Sequence, residues 1–172
     1  MSWRGMWSMP ESENRVLVTN TTPLIALTAA TGGLEILRHL YARVVVPLEV
    51  AQEVRVGGAQ AFGVEVFNAA AAWLDVQPAP VRIQPWLQNS LDKGEAAVIQ
   101  TALDLGLPLV CIDEAAGRRV ARLCELNLTG SIGLLVKARQ TGFAVDVPQA
   151  LVRMRQHGIW LSDRVMQFAL SH

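Results

Sequence analysis

Several acidic or amide side chains occur in this sequence just after apolar segments or within the helical segments that follow them. Asn20 follows the first apolar run, Glu53 lies in the segment after the second, and Glu95 opens a strongly helical segment. Asp113 and Glu114 directly follow a later, fully apolar run. Acids gathered at one sheet edge would repel each other unless a cation lay between them, and oxygen ligands favour Mg²⁺ or Mn²⁺. Such an ion polarises a phosphoryl oxygen and supplies hydroxide for in-line attack.

Each of these residues also has a structural explanation. Asp92 and Glu95 have the D-x-x-E spacing of a helix capping box. Asn20 and Asp113 are both suited to cap a helix N-terminus. Glu53 could be an acid on the solvated face of a helix. Taken singly, the residues therefore leave structural and catalytic roles open.

The elements that must position these side chains alternate between apolar strands and amphipathic helices. The segment Asn20-Thr-Thr-Pro23 starts a helix, and Pro-rich residues 77–85 form the one long loop. The predicted strands are 15–19, 44–46, 73–76, 109–112 and 126–129, and the further predicted helices are 34–40, 48–54, 60–72, 92–105, 113–125, 134–140, 147–156 and 162–170. This alternation predicts an α/β fold whose parallel sheet has helices on both faces. Ligands of such sheets bind at the carboxyl ends of the strands.

Composition limits the class of protein. The 172 residues are 51% hydrophobic, which suits one domain with one substantial core. Fifteen basic and fifteen acidic residues cancel, so a general polyanion binder is not expected. A mean hydropathy of +0.28 with few charges predicts a homodimer through apolar helix surfaces. Cys111 and Cys124 lack C-x-x-C spacing, which argues against a disulfide framework or a zinc site.

The first residues of the chain do not have the pattern of a secretion signal. Residues 1–14 lack an apolar signal core and are expected to be a flexible leader to a single domain, 15–172, with C-terminal helices in 143–172. The uncharged stretch 16–34 is interrupted too often by Thr, Asn, Pro and Gly to span a membrane. We therefore expect a cytoplasmic protein. No P-loop, G-x-G-x-x-G or G-x-S-x-G motif supports nucleotide or serine-hydrolase chemistry.

A basic group follows the acidic one. Arg118, Arg119 and Arg122 lie on the helix that begins after Asp113. Their guanidinium groups could contact phosphates of a nucleic acid. The alternative is a solvated helix face whose charge is balanced by neighbouring glutamates.

The chain resembles small prokaryotic PIN-like proteins of the toxin type through an ordered set of segments. These are VTNTTPLIAL (18–27), Pro47 followed by Glu53-Val54, LDKGEA (91–96), IDEAAGRRVA (112–121), TGSIGL (129–134) and LSD (161–163). The resemblance covers the chain from about residue 16 to its end. It implies a three-layer α/β/α domain with a central parallel sheet. It also implies a metal-dependent nuclease that cuts RNA, often as the toxin of a toxin–antitoxin pair.

Residue by residue, the resemblance implies a site. It assigns catalysis and binding of Mg²⁺ or Mn²⁺ to Glu53, Glu95 and Asp113, with Glu114 as an additional ligand. The resemblance also implies that a hydroxyl of Thr22 or Ser131 supports these residues.

One position departs from the family pattern. Where the family has Asp, in the context D-T-S-P-L, this chain has Asn20. An amide offers one carbonyl oxygen to a metal, but it carries no charge and cannot act as a base. Two functions follow. One is a metal-dependent endoribonuclease acting on single-stranded RNA with reduced metal affinity. The other is an inactive PIN-like module that binds RNA or a partner protein such as an antitoxin.

Overall fold

A computed structural model describes residues 15–58 and 61–172 of the chain. The predicted leader, 1–14, and the predicted helix start at Gln60 lie outside the described residues. The strands are β1 (Val16–Thr19), β2 (Arg43–Val46), β3 (Asp75–Val76), β4 (Leu109–Cys111) and β5 (Asn127–Thr129). They form one parallel sheet in the order β3-β2-β1-β4-β5.

The order of the strands creates a crevice beside β1. From β1 the chain moves outward to β2 and β3, and then returns to place β4 and β5 on the other side of β1. Val18 is paired with Val45 on one side and with Val110 on the other. Where the direction of strand addition reverses in an open parallel sheet, the neighbouring connections leave towards opposite faces, and ligands bind in the crevice between them at the carboxyl edge.

Helices cover the sheet and confirm the predicted three-layer α/β/α fold. They are α1 (Thr21–Thr31), α2 (Glu35–Leu40), α3 (Leu48–Val56), α4 (Phe62–Ala70), α5 (Pro85–Ser90), α6 (Lys93–Leu105), α7 (Ala115–Leu123), α8 (Ser131–Gln140), α9 (Val147–Gln156) and α10 (Asp163–Ser171). Helix α6 ends as its sequence predicts, at Gly106, whose φ of 64° is left-handed. Helix α5 was not predicted, since its six residues follow the Pro-rich loop directly.

The core is aliphatic and lies on both faces of the sheet. Leu17 and Val18 of β1 are fully buried, as is Val110 of β4. Helix α9 packs on α1, and α10 packs on α8 and α9, so the C-terminal helices lie against the sheet-covering layer. Among the described residues, no helix is both long enough and apolar enough to cross a membrane.

Candidate active site

Asn20 directly follows β1, at the carboxyl edge of the sheet. Its backbone N–H donates to the carbonyl oxygen of Cys111 at 3.1 Å, which ties the end of β1 to the end of β4. The side chain is only 3% exposed. Its Oδ1 has no hydrogen-bond partner, and its Nδ2 donates to Oε2 of Glu114 at 3.4 Å. The predicted capping role is wrong for the side chain, which makes no hydrogen bond to the first turn of α1.

Glu95 lies in the first turn of α6, and half of its predicted capping box exists. Its backbone N–H donates to Oδ1 of Asp92 at 2.9 Å, so Asp92 caps the helix. The Glu95 carboxylate is 4% exposed, and its Oε1 has no hydrogen-bond partner. Because helix α6 precedes β4 and runs antiparallel to it, its first turn lies at the carboxyl edge of the sheet. The carboxylate is therefore placed at the crevice rather than against the helix end.

Two glycines make room for this group of oxygens. A Cβ atom at Gly94 would lie 2.7 Å from Oε2 of Glu53 and 3.0 Å from Oδ1 of Asn20. A Cβ atom at Gly117 would lie 2.7 Å from Oε1 of Glu95. The side chains thus pack against bare backbone on two helices. A glycine inside a helix costs about 1 kcal/mol relative to alanine, and that unfavourable placement is the sequence signal that could have identified both positions.

Glu114 is held from the start of α1. Its Oε1 accepts a short hydrogen bond from the Thr22 hydroxyl, and its Oε2 accepts the bond from Asn20. The supporting hydroxyl expected at Thr22 thus contacts an acidic side chain of the site. Glu114 is also the N-cap residue of α7, without a side-chain capping bond. Its carboxylate is consequently bonded to Thr22 and Asn20 across the site rather than to its own helix.

Asp113 lies at the same sheet edge, but its carboxylate is engaged with α8. Its Oδ1 accepts the backbone N–H of Ser131 at 2.8 Å. The predicted capping of the next helix is therefore wrong, because Glu114 occupies that position and Asp113 bonds the first turn of α8 instead. Ser131 is 4% exposed and contributes this backbone N–H.

The three arginines of α7 have different environments. Nη1 of Arg118 donates to the carbonyl oxygens of Ile112 and Thr129, at 2.8 and 3.3 Å. It therefore ties together the ends of β4 and β5. Arg119 and Arg122 are exposed and remain the candidates for contact with phosphates.

Burial and mutual repulsion raise the proton affinity of the acids. Burial, followed by the nearby carboxylates of Asp92 and Glu114, raises the pKa of Glu95 to about 7. Burial is also the main cause that raises the pKa of Glu53, and Asp92 and Glu114 add to it. The pKa of Asp113 is raised by burial as well. Asp113 differs from the other two acids in having a cation beside it, because the Arg118 guanidinium and the hydrogen bonds from Ser131 partly offset the rise in its pKa.

The acids are close together without forming a finished ligand set. Within 15–58 and 61–172, no three His, Cys, Asp or Glu side chains are arranged so that they could hold a metal ion. Asp113 shows why, since its Oδ1 faces Ser131. Cation binding would require side-chain rotation at this edge of the sheet.

The fold and this acidic crevice define a class of protein: a parallel α/β/α domain of nuclease type. A family model described as a PIN domain matches residues 16–172, so the chain belongs to the PIN-domain family. This confirms the resemblance carried by the sequence motifs. PIN domains generally use divalent metals. No curated protein and no solved structure matches the chain.

Proposed function

We propose that the protein is a divalent-metal-dependent endoribonuclease of the PIN type. The observation that carries the proposal is the set of buried oxygens without partners. Four such side-chain atoms occur among the described residues, and Asn20 Oδ1 and Glu95 Oε1 are two of them. Buried acceptors without a partner cost about 1–3 kcal/mol each, more when charged. A cation that contacted both oxygens after side-chain rotation would satisfy them, and this supports a metal ion at the carboxyl edge of the sheet.

The chain offers a set of oxygen ligands for Mg²⁺ or Mn²⁺. Glu53 and Glu95 would supply carboxylates, Asn20 its amide oxygen, and Glu114 a further carboxylate. Asp113 would join them after rotation away from α8. When bound, the ion polarises a phosphoryl oxygen and lowers the pKa of an attacking water. Hard oxygen donors of this kind suit Mg²⁺ and Mn²⁺ rather than softer ions.

The side chains of the site have separate tasks in phosphodiester hydrolysis. Asn20 cannot accept a proton, so the proton released by an attacking water must go to a carboxylate. Glu53 is exposed and its pKa is raised, so a carboxylate oxygen of Glu53 that does not contact the ion would suit this task. Arg119 and Arg122 would contact phosphates of single-stranded RNA, the proposed substrate. Fold alone does not fix this substrate, so the proposal needs a direct assay.

A second function is favoured by Asn20 itself. An amide in place of a carboxylate removes one charge from the site, and part of that amide is already bonded to Glu114. A PIN domain without nuclease activity would bind RNA or a partner protein, such as an antitoxin, at the same surface. The two functions differ in whether the chain cleaves RNA.

Metal binding is tested by calorimetric titration with Mn²⁺. We expect weak binding by the native chain, and its loss in Glu95→Gln and in Asp113→Asn. Asparagine at position 113 keeps an oxygen acceptor for the Ser131 N–H, so the fold should persist. Glu65→Gln, an exposed change on α4, is the matched control and should bind normally. Unchanged binding in both site variants would remove the proposed site.

Cleavage of single-stranded RNA with Mg²⁺ or Mn²⁺ separates the two functions. The comparison uses the native chain, Asn20→Asp, and Asn20→Asp combined with Asp113→Asn as a contamination control. Cleavage by the native chain supports an enzyme that works with an amide ligand. If Asn20→Asp is the one protein of the three that cleaves RNA, the native chain is a nuclease fold that has lost its catalytic activity. If neither cuts RNA, the binding module is the better explanation.

A further inference from the structure

Both oxygens of the Glu114 carboxylate accept hydrogen bonds from the start of α1. The Thr22 hydroxyl donates to Oε1, and Nδ2 of Asn20 donates to Oε2. An aspartate at position 20 could not make the second bond, because an ionised carboxylate only accepts. It would instead place two like charges in contact. The contact with Glu114 thus depends on the residue by which this chain departs from its family's motif.

The same bond decides which end of the amide faces the centre of the site. With Nδ2 turned towards Glu114, Oδ1 of Asn20 lies on the side of Gly94, where a Cβ atom would meet both this oxygen and Oε2 of Glu53. Oδ1 has no other partner there. Had the amide the opposite orientation, its oxygen would face a carboxylate and its NH₂ group would face any bound cation. Glu114 therefore holds Asn20 in the one orientation that suits metal binding.

Glu114 also lies in the neighbourhood of the other acids of the site. Its charge acts on both Glu53 and Glu95, as Asp92 does. We infer that Glu114 replaces the carboxylate missing at position 20, both by supplying its negative charge and by orienting the Asn20 amide. The inference rests on the proposed metal-dependent function. It predicts that residues 20 and 114 act as a coupled pair.

The coupling is measured by Mn²⁺ titration of four proteins: the native chain, Glu114→Gln, Asn20→Asp and the double variant. In the native background, Glu114→Gln should weaken Mn²⁺ binding roughly 10- to 100-fold, the range typical when a residue supporting a metal site is lost. In the Asn20→Asp background, Glu114→Gln should weaken Mn²⁺ binding less than about threefold, because the aspartate supplies the negative charge. Glu65→Gln again serves as the matched control.

A metal-free measurement gives an independent readout. With chelator present at neutral pH, Asn20→Asp should lower the melting temperature, since it exchanges a hydrogen bond for repulsion with Glu114. Adding Glu114→Gln should recover the loss, because glutamine can donate to the new carboxylate. A merely structural Glu114 would lower the melting temperature by the same amount in both backgrounds.

The outcomes separate the inference from the function on which it rests. Binding of Mn²⁺ by the native chain, with equal weakening by Glu114→Gln in both backgrounds, would overturn the pairing and leave the metal site standing. Undiminished binding by Glu114→Gln would do the same. Absence of Mn²⁺ binding in all four proteins would overturn both the metal-dependent function and the inference. A background-dependent loss, together with the recovered melting temperature, supports the pair.

Discussion

At the scale of the residue, Glu95 is a buried acid that lies near other acids, so its ionised form is disfavoured. Its carboxylate is 4% exposed and lies near the acids Asp92 and Glu114. Desolvation and like charges both disfavour the ionised form, which is why its pKa rises from 4.5 to about 7. A divalent cation bound nearby would instead favour the ionised form of Glu95. The residue therefore links metal binding to the pH dependence of stability.

The sign of that dependence follows from proton linkage. Because folded Glu95 binds its proton more tightly than the unfolded chain does, its contribution to stability is full below pH 4.5 and is lost as the pH rises through about 7. Without metal, the melting temperature should fall as the pH rises from 4.5 to about 7. In Glu95→Gln this decrease should be smaller than in the native chain. Scanning calorimetry with a chelator checks this. Saturating Mn²⁺ should restore stability at the alkaline end.

The matched control for this experiment is Glu65→Gln, which replaces an exposed glutamate on α4. Its profile should follow that of the native chain. A native melting temperature that stays level or rises between about pH 5 and pH 7.5, the range over which Glu95 should lose its proton, would contradict the assigned environment of Glu95.

Sequence reasoning could place these acids at one edge but could not orient them. Asn20 and Asp113 follow strands, and the rule for parallel sheets puts both residues at the carboxyl edge. The direction of the Asp113 side chain depends on the N–H of Ser131, which β5 and α8 bring close. Similarly, the bond between Asn20 and Glu114 joins residues 94 positions apart. Such choices are set by tertiary contacts, which local patterns do not contain.

At the scale of the element, the site is made by the first turns of helices. Helices α1, α7 and α8 begin just after β1, β4 and β5, so their N-termini lie at the carboxyl edge with the first turn of α6. The partial positive charge of helix N-termini favours acids placed there. Close approach requires small residues, and Gly94 in α6 supplies one. The glycine at position 94 is thus explained by the packing of the site rather than by the conformation of the helix.

Substituting this glycine tests that view. On an exposed helix, Gly→Ala stabilises by up to about 1 kcal/mol. In Gly94→Ala the new methyl group would meet Glu53 at 2.7 Å and Asn20 at 3.0 Å, so one of them must move. We expect Mn²⁺ binding to weaken at least tenfold, about 1.4 kcal/mol, by titration calorimetry. Lys93→Ala, at the neighbouring exposed position, should bind as the native chain does. Normal binding by Gly94→Ala would show that the glycine does not shape the site.

The elements themselves were largely predictable, and the exceptions have local causes. Helix α6 carries a cap at Asp92 and a stop at Gly106, and its observed bounds agree with the pattern. Helix α5 has only six residues and begins at Pro85, where a loop was expected. Its one buried residue is Leu87. So short a helix has no amphipathic period to recognise, and packing on α6 rather than propensity stabilises it.

At the scale of the whole molecule, apolar surface remains uncovered near the C-terminus. Four of the large hydrophobic residues that are exposed belong to α9, α10 or the connection between them: Val152, Trp160, Phe168 and Leu170. Trp160 is 83% exposed. Isolated exposed apolar residues are ordinary, but several in neighbouring elements indicate an interaction surface. We propose this surface as the interface of the homodimer that the hydropathy of the chain predicts.

We predict a homodimer that uses this C-terminal surface. Trp is among the residues whose burial contributes most at interfaces, so Trp160→Glu should shift the protein to a monomer at micromolar concentration, measured by light scattering. Leu123→Glu is the matched control, because Leu123 is 78% exposed but lies on α7, and it should remain dimeric. A monomeric native chain would contradict the prediction and would leave the C-terminal surface for a different partner protein. If both variants stay dimeric, the subunits must meet elsewhere, and Trp160 then has no role in assembly.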